Sequence, residues 1–97
     1  MADPANPSFT LDFTSAALRG LGKLDWSIRR KVFSEIEKLK ENPRPHGFEQ
    51  LETKKKLYRM HIGPGKNYRV VYHIRDEVLL VLVVKVGHRK DVYRRVK

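Results

Sequence analysis

Seven consecutive residues, Val78 to Val84, are apolar, and this run constrains the fold more than any other stretch. It is far too short to cross a bilayer as a helix. As a strand over 78–86 it carries apolar side chains on both faces, so it has to lie centrally in a sheet or be covered on both sides. Two further strands precede it. Leu57 to Ile62 and Tyr68 to Arg75 are joined by the turn Gly63-Pro64-Gly65-Lys66-Asn67, and Asp76-Glu77 turns the chain into the apolar run. Together they predict a three-stranded antiparallel meander.

Upstream, residues 8–13 alternate, with Phe9, Leu11 and Phe13 on one face of a fourth strand. Thr14 and Ser15 offer N-caps for a helix carrying Ala17, Leu18, Leu21 and Leu24. Gly20 and Gly22 weaken that helix and imply close packing or an early end. Asp25 can cap a second helix over 26–42, whose buried stripe is Ile28, Val32, Ile36 and Leu39. Asn42-Pro43 stops it. Residues 43–47 read as a connector, and 48–56 are poorly patterned. The expected class is α+β: an N-terminal strand, two helices, then the meander. With 97 residues there is room for one core, so 8–97 is expected to be a single domain behind a loose, proline-containing arm at 1–7.

The formal charge is +10, and its distribution is uneven. Residues 1–50 hold 8 Lys/Arg against 7 Asp/Glu, whereas 51–97 hold 13 against 4. A one-sided field of this kind suits a polyanion, an acidic protein or an anionic membrane surface. The chain has no cysteine, which excludes disulfides and cysteine-based zinc sites and fits a reducing compartment. Nothing at the N-terminus has the form of a signal peptide, so a cytoplasmic location without membrane attachment is expected. The four histidines show no spacing or carboxylate partner that suggests a metal.

Strand parity assigns the faces. Tyr58, Met60, Ile62, Tyr68, Val70, Tyr72 and Ile74 point to one side as core. Arg59 and His61, with Arg69, Val71, His73 and Arg75, point to the other. Two helices can cover only one face, so the second is expected to be open and basic, able to hydrogen-bond phosphate. A solvated sheet face is often charged for no further reason. Against that reading stands convergence, because Gly87-His88-Arg89 at the end of the next strand and then Tyr93 join Arg59, His61 and Arg69.

The segments Leu57-Tyr58-Arg59-Met60-His61, Asn67-Tyr68-Arg69-Val70-Val71-Tyr72, Val86-Gly87-His88-Arg89 and Val92-Tyr93, in this order and spacing, resemble the RelE/ParE superfamily of type II toxins, closest to its RelE-like mRNA interferases. The likeness runs from Phe9 to Val96. It implies a ribosome-dependent endoribonuclease that cuts translated mRNA without cofactor or metal, held in check by a RelB-like antitoxin, an acidic or amphipathic chain that wraps it. Its working positions fall on Arg69, Arg89 and Tyr93. The family's two strand lysines fall on Arg59 and His61. The second change replaces an ammonium by a group only partly protonated at neutral pH, so the proton acceptor is left open among Tyr93, His61 and His88. Lys54, Lys55, Lys56, Arg59 and Arg75 are the further candidates for binding RNA phosphate. The ParE-like branch, which inhibits DNA gyrase without chemistry, shares the fold and is the alternative. A plain RNA-binding module is a third reading, disfavoured by the sparse aromatics on the open face.

Overall fold

A computed structural model describes residues 8–52 and 56–92. The expected arm at 1–7, Lys54, Lys55 and Tyr93 lie outside the described residues. The elements follow as β1 (Thr10–Phe13), α1 (Ser15–Gly22), α2 (Trp26–Glu37), β2 (Glu49–Glu52), β3 (Leu57–Ile62), β4 (Tyr68–Arg75), β5 (Leu80–His88) and a short α3 (Arg89–Val92). They form a five-stranded sheet in the order β1-β5-β4-β3-β2. β3, β4 and β5 make the expected antiparallel meander, and β1 runs parallel to β5. The apolar run therefore lies inside the sheet, with β1 on one side and β4 on the other.

The strand count departs from the expected four. Residues 49–52, which show no alternation of apolar and polar side chains, pair antiparallel with β3 and form an edge strand. Backbone hydrogen bonds to β3 suffice for this, and such bonds are available to any sequence other than proline. β5 begins at Leu80 rather than at Val78, because Asp76–Val78 closes a 3-10 turn and Leu79 takes a left-handed conformation with φ 51°. α2 ends at Glu37 and passes into a 3-10 turn over Lys38–Lys40, short of the expected Asn42. Asp25 occupies its N-cap position without a side-chain hydrogen bond to the helix.

α1 and α2 cover one face of the sheet. Ala17, Leu21, Val32, Ile36 and Leu39 from the helical side meet Tyr58, Ile62, Val70, Tyr72, Ile74, Val81, Val83 and Val86 from the strands. The helical spacing and the strand parity thus select the same core. Gly20 is where α1 comes closest to the sheet, since a Cβ there would run into the carbonyl oxygen of Val86. That contact explains a glycine in mid-helix, where it costs about 1 kcal/mol relative to alanine.

One irregularity decides which way β5 faces. Val71 pairs with Lys85, but Tyr72 pairs with Val83, so Val84 is an extra residue, a β-bulge. The extra residue inverts the alternation beyond it. Val81 and Val83 are fully buried, and Val86 follows them into the core at 4% exposure, while Lys85 lies opposite Val71 on the other face. Thr14 secures the bulge. Its hydroxyl donates to the Val84 carbonyl at 2.8 Å and accepts the Ala17 N–H at 3.1 Å as the N-cap of α1.

The connector at 43–47 is also tied down. The Tyr72 hydroxyl donates to the Pro43 carbonyl at 2.8 Å, and burial pushes this phenol well above its ordinary pKa, so it stays a donor. Arg44 reaches both carboxylate oxygens of Asp76, at 3.1 and 2.8 Å, across the ring of Tyr58. Among the described residues no helix is long and apolar enough to cross a membrane.

Candidate active site on the open sheet face

Register brings the candidate residues into rows across the strands. His61 on β3 is directly opposite Arg69 on β4, which is opposite Gly87 on β5. One step along lies a second row of Glu49, Arg59, Val71 and Lys85. Paired residues share a face of the sheet and adjacent strands are about 5 Å apart, so His61 and Arg69 stand side by side away from the helices. Gly87, which is buried, adds no side chain to the first row. The row lies next to the turn at 63–67: Arg69 donates from a terminal guanidinium nitrogen to the Lys66 carbonyl at 3.2 Å, and the Arg89 N–H donates to the Asn67 carbonyl at 2.8 Å. Exposed Arg89 therefore begins where the row ends.

The protonation of His61 follows from these neighbours. Burial, then the positive charges of Arg69, Arg59 and Lys66, hold its imidazole below the ordinary histidine pKa, while the Glu49 carboxylate pulls the other way. His61 is thus neutral at pH 7 and able to accept a proton. Beside it stands the Arg69 guanidinium. Glu49 receives Arg59 through Nε at 2.7 Å and a terminal nitrogen at 2.5 Å, and the same carboxylate oxygen lies 3.7 Å from His61 Nε2. Arg59 in particular holds the Glu49 carboxyl below the usual carboxylate range.

Not every candidate joins this cluster. His88 pairs with Tyr68, whose strand parity is that of the core, and packs edge-on against its ring at 5.3 Å between centroids. Its Nδ1 accepts the Lys90 N–H at 3.2 Å. His88 therefore belongs to the opposite face from His61, close in the chain but turned away. Arg75 sits six residues along β4 from Arg69, about 20 Å at the strand rise, and is paired with Glu77 at 3.0 Å. Lys56 is at that same far end, 4.0 Å from Asp76. Lys54, Lys55 and Tyr93 are not among the described residues.

Two members of the face were not foreseen. Glu49 lies in the stretch without a pattern and reaches Arg59 and His61 only because β2 pairs with β3. Lys85 sits in the apolar strand and reaches the open face only because of the bulge. A cation interrupting the run of valines was the one available signal for the latter. Among the described residues no group of three or more histidine or acidic side chains is placed to hold a metal ion.

Comparison with known proteins gives a consistent picture. Residues 11–93 match the family model of the ParE toxin of the type II toxin-antitoxin system parDE. The mRNA interferase toxin RelE of Escherichia coli is 30% identical over 88 residues, covering 89% of this chain and 90% of that protein. Toxin RelG of Mycobacterium tuberculosis is 33% identical over 95 residues, covering 90% and 98%. Among solved structures, a chain of the RelBE2 toxin-antitoxin complex from Mycobacterium tuberculosis superposes with a TM-score of 0.72 at 28% identity, covering 84% of this chain and 99% of that one.

Proposed function

The chain belongs to the ParE toxin family of type II toxin-antitoxin systems, and on that premise we propose that it is a RelE-like endoribonuclease that cuts translated mRNA on the ribosome and is neutralised by a RelB-like antitoxin. The observation that carries this reading is the His61–Arg69 pair: a histidine kept neutral, directly opposite an arginine on the sheet face away from the helices. A toxin that only binds its target needs no proton acceptor beside a phosphate-binding cation.

The chemistry follows from what each group can do. The ribose 2′-oxygen attacks the adjacent phosphorus, the P–O5′ bond breaks, and a 2′,3′-cyclic phosphate forms. His61 takes the 2′-hydroxyl proton, and the leaving 5′-oxygen takes one from water. Arg69 holds the phosphate as negative charge builds on it, and Arg89 at the rim adds a second cation. Tyr93, the base that the family resemblance implies, is the rival acceptor. An ordinary phenol ionises near pH 10 and would need strong help from cations. His61 requires none at neutral pH.

The exposed surface offers ground for both partners. The basic half suits RNA and the acidic groups of an antitoxin, and exposed Leu18, Trp26 and Phe33 offer apolar ground for a wrapping chain. Acting on translating ribosomes places the protein in the cytoplasm. Mapping the ends of cellular mRNA shortly after induction is the direct test, with cuts expected inside translated codons and none in untranslated RNA. The name of the matched family keeps the gyrase-directed alternative in view. Inhibition of DNA supercoiling by the purified protein, with intact mRNA in induced cells, would select it instead.

A further inference from the structure

We propose that Glu49 is a positioning residue for His61, holding the proton of the neutral imidazole on Nε2 and leaving Nδ1 to accept the proton of the ribose 2′-hydroxyl. The inference rests on the nuclease reading above and adds a residue that the family resemblance does not supply.

Three observations support it. The first is anchorage. Two nitrogens of Arg59 converge on one oxygen of Glu49, at 2.7 and 2.5 Å, and fix that oxygen 3.7 Å from His61 Nε2. Arg59 thereby acts first as the holder of a carboxylate, and its phosphate-binding role becomes secondary. The second is enclosure. The His61 side chain is 37% exposed, yet its Nε2 is almost wholly buried and has no hydrogen-bond partner among the described residues. The open part of the ring therefore lies on its other atoms, and Nε2 is the nitrogen that substrate does not reach. The third is the electrostatic choice between tautomers. With the proton on Nδ1, the Nε2 lone pair would face a carboxylate oxygen, and the two would repel. With the proton on Nε2, the N–H dipole points at that oxygen, and a small side-chain rotation converts 3.7 Å into a hydrogen bond.

The same arrangement helps when the proton moves. Transfer from the 2′-hydroxyl to Nδ1 makes an imidazolium in a place already crowded by Arg59 on the same strand, Arg69 on β4, Lys66 in the turn and, one strand farther, Lys85. Glu49 on β2 is the carboxylate that offsets them, as an acid that orients and stabilises a catalytic histidine does in other enzymes. The imidazolium then returns its proton to water after the 5′-oxygen has left.

The test is nitrogen NMR of His61 in the full-length toxin, wild type against Glu49→Gln and Glu49→Asp, beside single-turnover cleavage on programmed ribosomes. Wild type should show the Nε2–H tautomer. Glu49→Gln should lower the His61 pKa, admit the other tautomer, and slow cleavage by about tenfold to a hundredfold. Its acid limb should move to lower pH, and Glu49→Asp should recover part of the rate. Folding is checked by circular dichroism, with Glu49→Ala as a second variant. An unchanged tautomer and pKa in Glu49→Gln would overturn the pairing whether or not the protein cuts RNA. Altered titration with an unchanged cleavage rate would overturn the positioning role. If the tautomer and pKa respond as stated but wild type cuts no RNA, the pairing stands and the nuclease reading fails.

Discussion

The two ends of the β3–β4 hairpin are both rich in cations, but their charges are partnered differently. At the far end, Arg44 and Lys56 approach Asp76, and Arg75 approaches Glu77, all on exposed side chains. At the turn end, Arg69 donates to a backbone carbonyl, its Nε has no hydrogen-bond partner among the described residues, and it stands against a neutral histidine. The difference teaches that positive charge by itself does not make a site. A cation held directly by a carboxylate is already satisfied, whereas one with no carboxylate in ion-pair contact among the described residues, as the proposed role of Arg69 requires, gains more from a phosphate.

The largest expected effect compares these ends directly. Arg69→Ala and Arg89→Ala should abolish toxicity and reduce cleavage by about a hundredfold or more, since each removes charge stabilisation at the reacting phosphate. Arg75→Ala should cleave close to wild type. Growth assays, single-turnover cleavage and circular dichroism would check all three, and equal loss of folding and toxicity in Arg69→Ala would make it structural.

Next in size is the proton acceptor. His61→Gln should slow cleavage by about a hundredfold, a typical general-base contribution. His88→Gln should change little, because that ring packs on Tyr68 on the other face. Tyr93→Phe measures the rival directly, and the larger fall identifies the base. The pH profile carries a sign. With the His61 pKa held below its ordinary value, the imidazole stays neutral as pH falls through the usual histidine range. Cleavage should hold there and decline only at lower pH. A midpoint at or above the ordinary histidine value would contradict the burial and cation argument.

Salt should separate the ends more gently. RNA binding should weaken steeply as salt rises, and Arg69→Ala should reduce the slope by about one. Lys56→Ala and Arg75→Ala should reduce it by less, because each is already paired. Antitoxin binding should depend less on salt if it covers Leu18 and Trp26.

The smallest effect belongs to the far end itself. Arg44→Ala should destabilise the fold by about 1 kcal/mol or less, as for an exposed ion pair. Arg44 holds the Asp76 carboxyl below its ordinary value. That contribution is therefore present above the unfolded aspartate pKa and is lost as pH falls through the folded one. Thermal denaturation of Asp76→Asn between neutral and acid pH would measure it.

Much of this molecule was legible as a chain. The limits of β3 and β4, the capping threonine of α1, the stripe Val32, Ile36 and Leu39, and the opposite faces of Tyr72 and Arg69 all follow from periods of two and 3.6 residues. Such periods are local, so they survive without tertiary information. The family resemblance likewise rests on short segments in order. What only the tertiary structure decided is non-local. β2 has no pattern because an edge strand forms through backbone bonds to β3, and only that pairing carries Glu49 to His61. The bulge at Val84 depends on where β4 and β5 shift register, and it alone turns Lys85 outward and Val86 inward. His88 and Arg89 are neighbours in sequence, yet pairing with Tyr68 sends the histidine to the far face. Periodicity states which residues share a side, but strand register decides which sides meet, because the hydrogen bonds that set it join residues far apart in the chain.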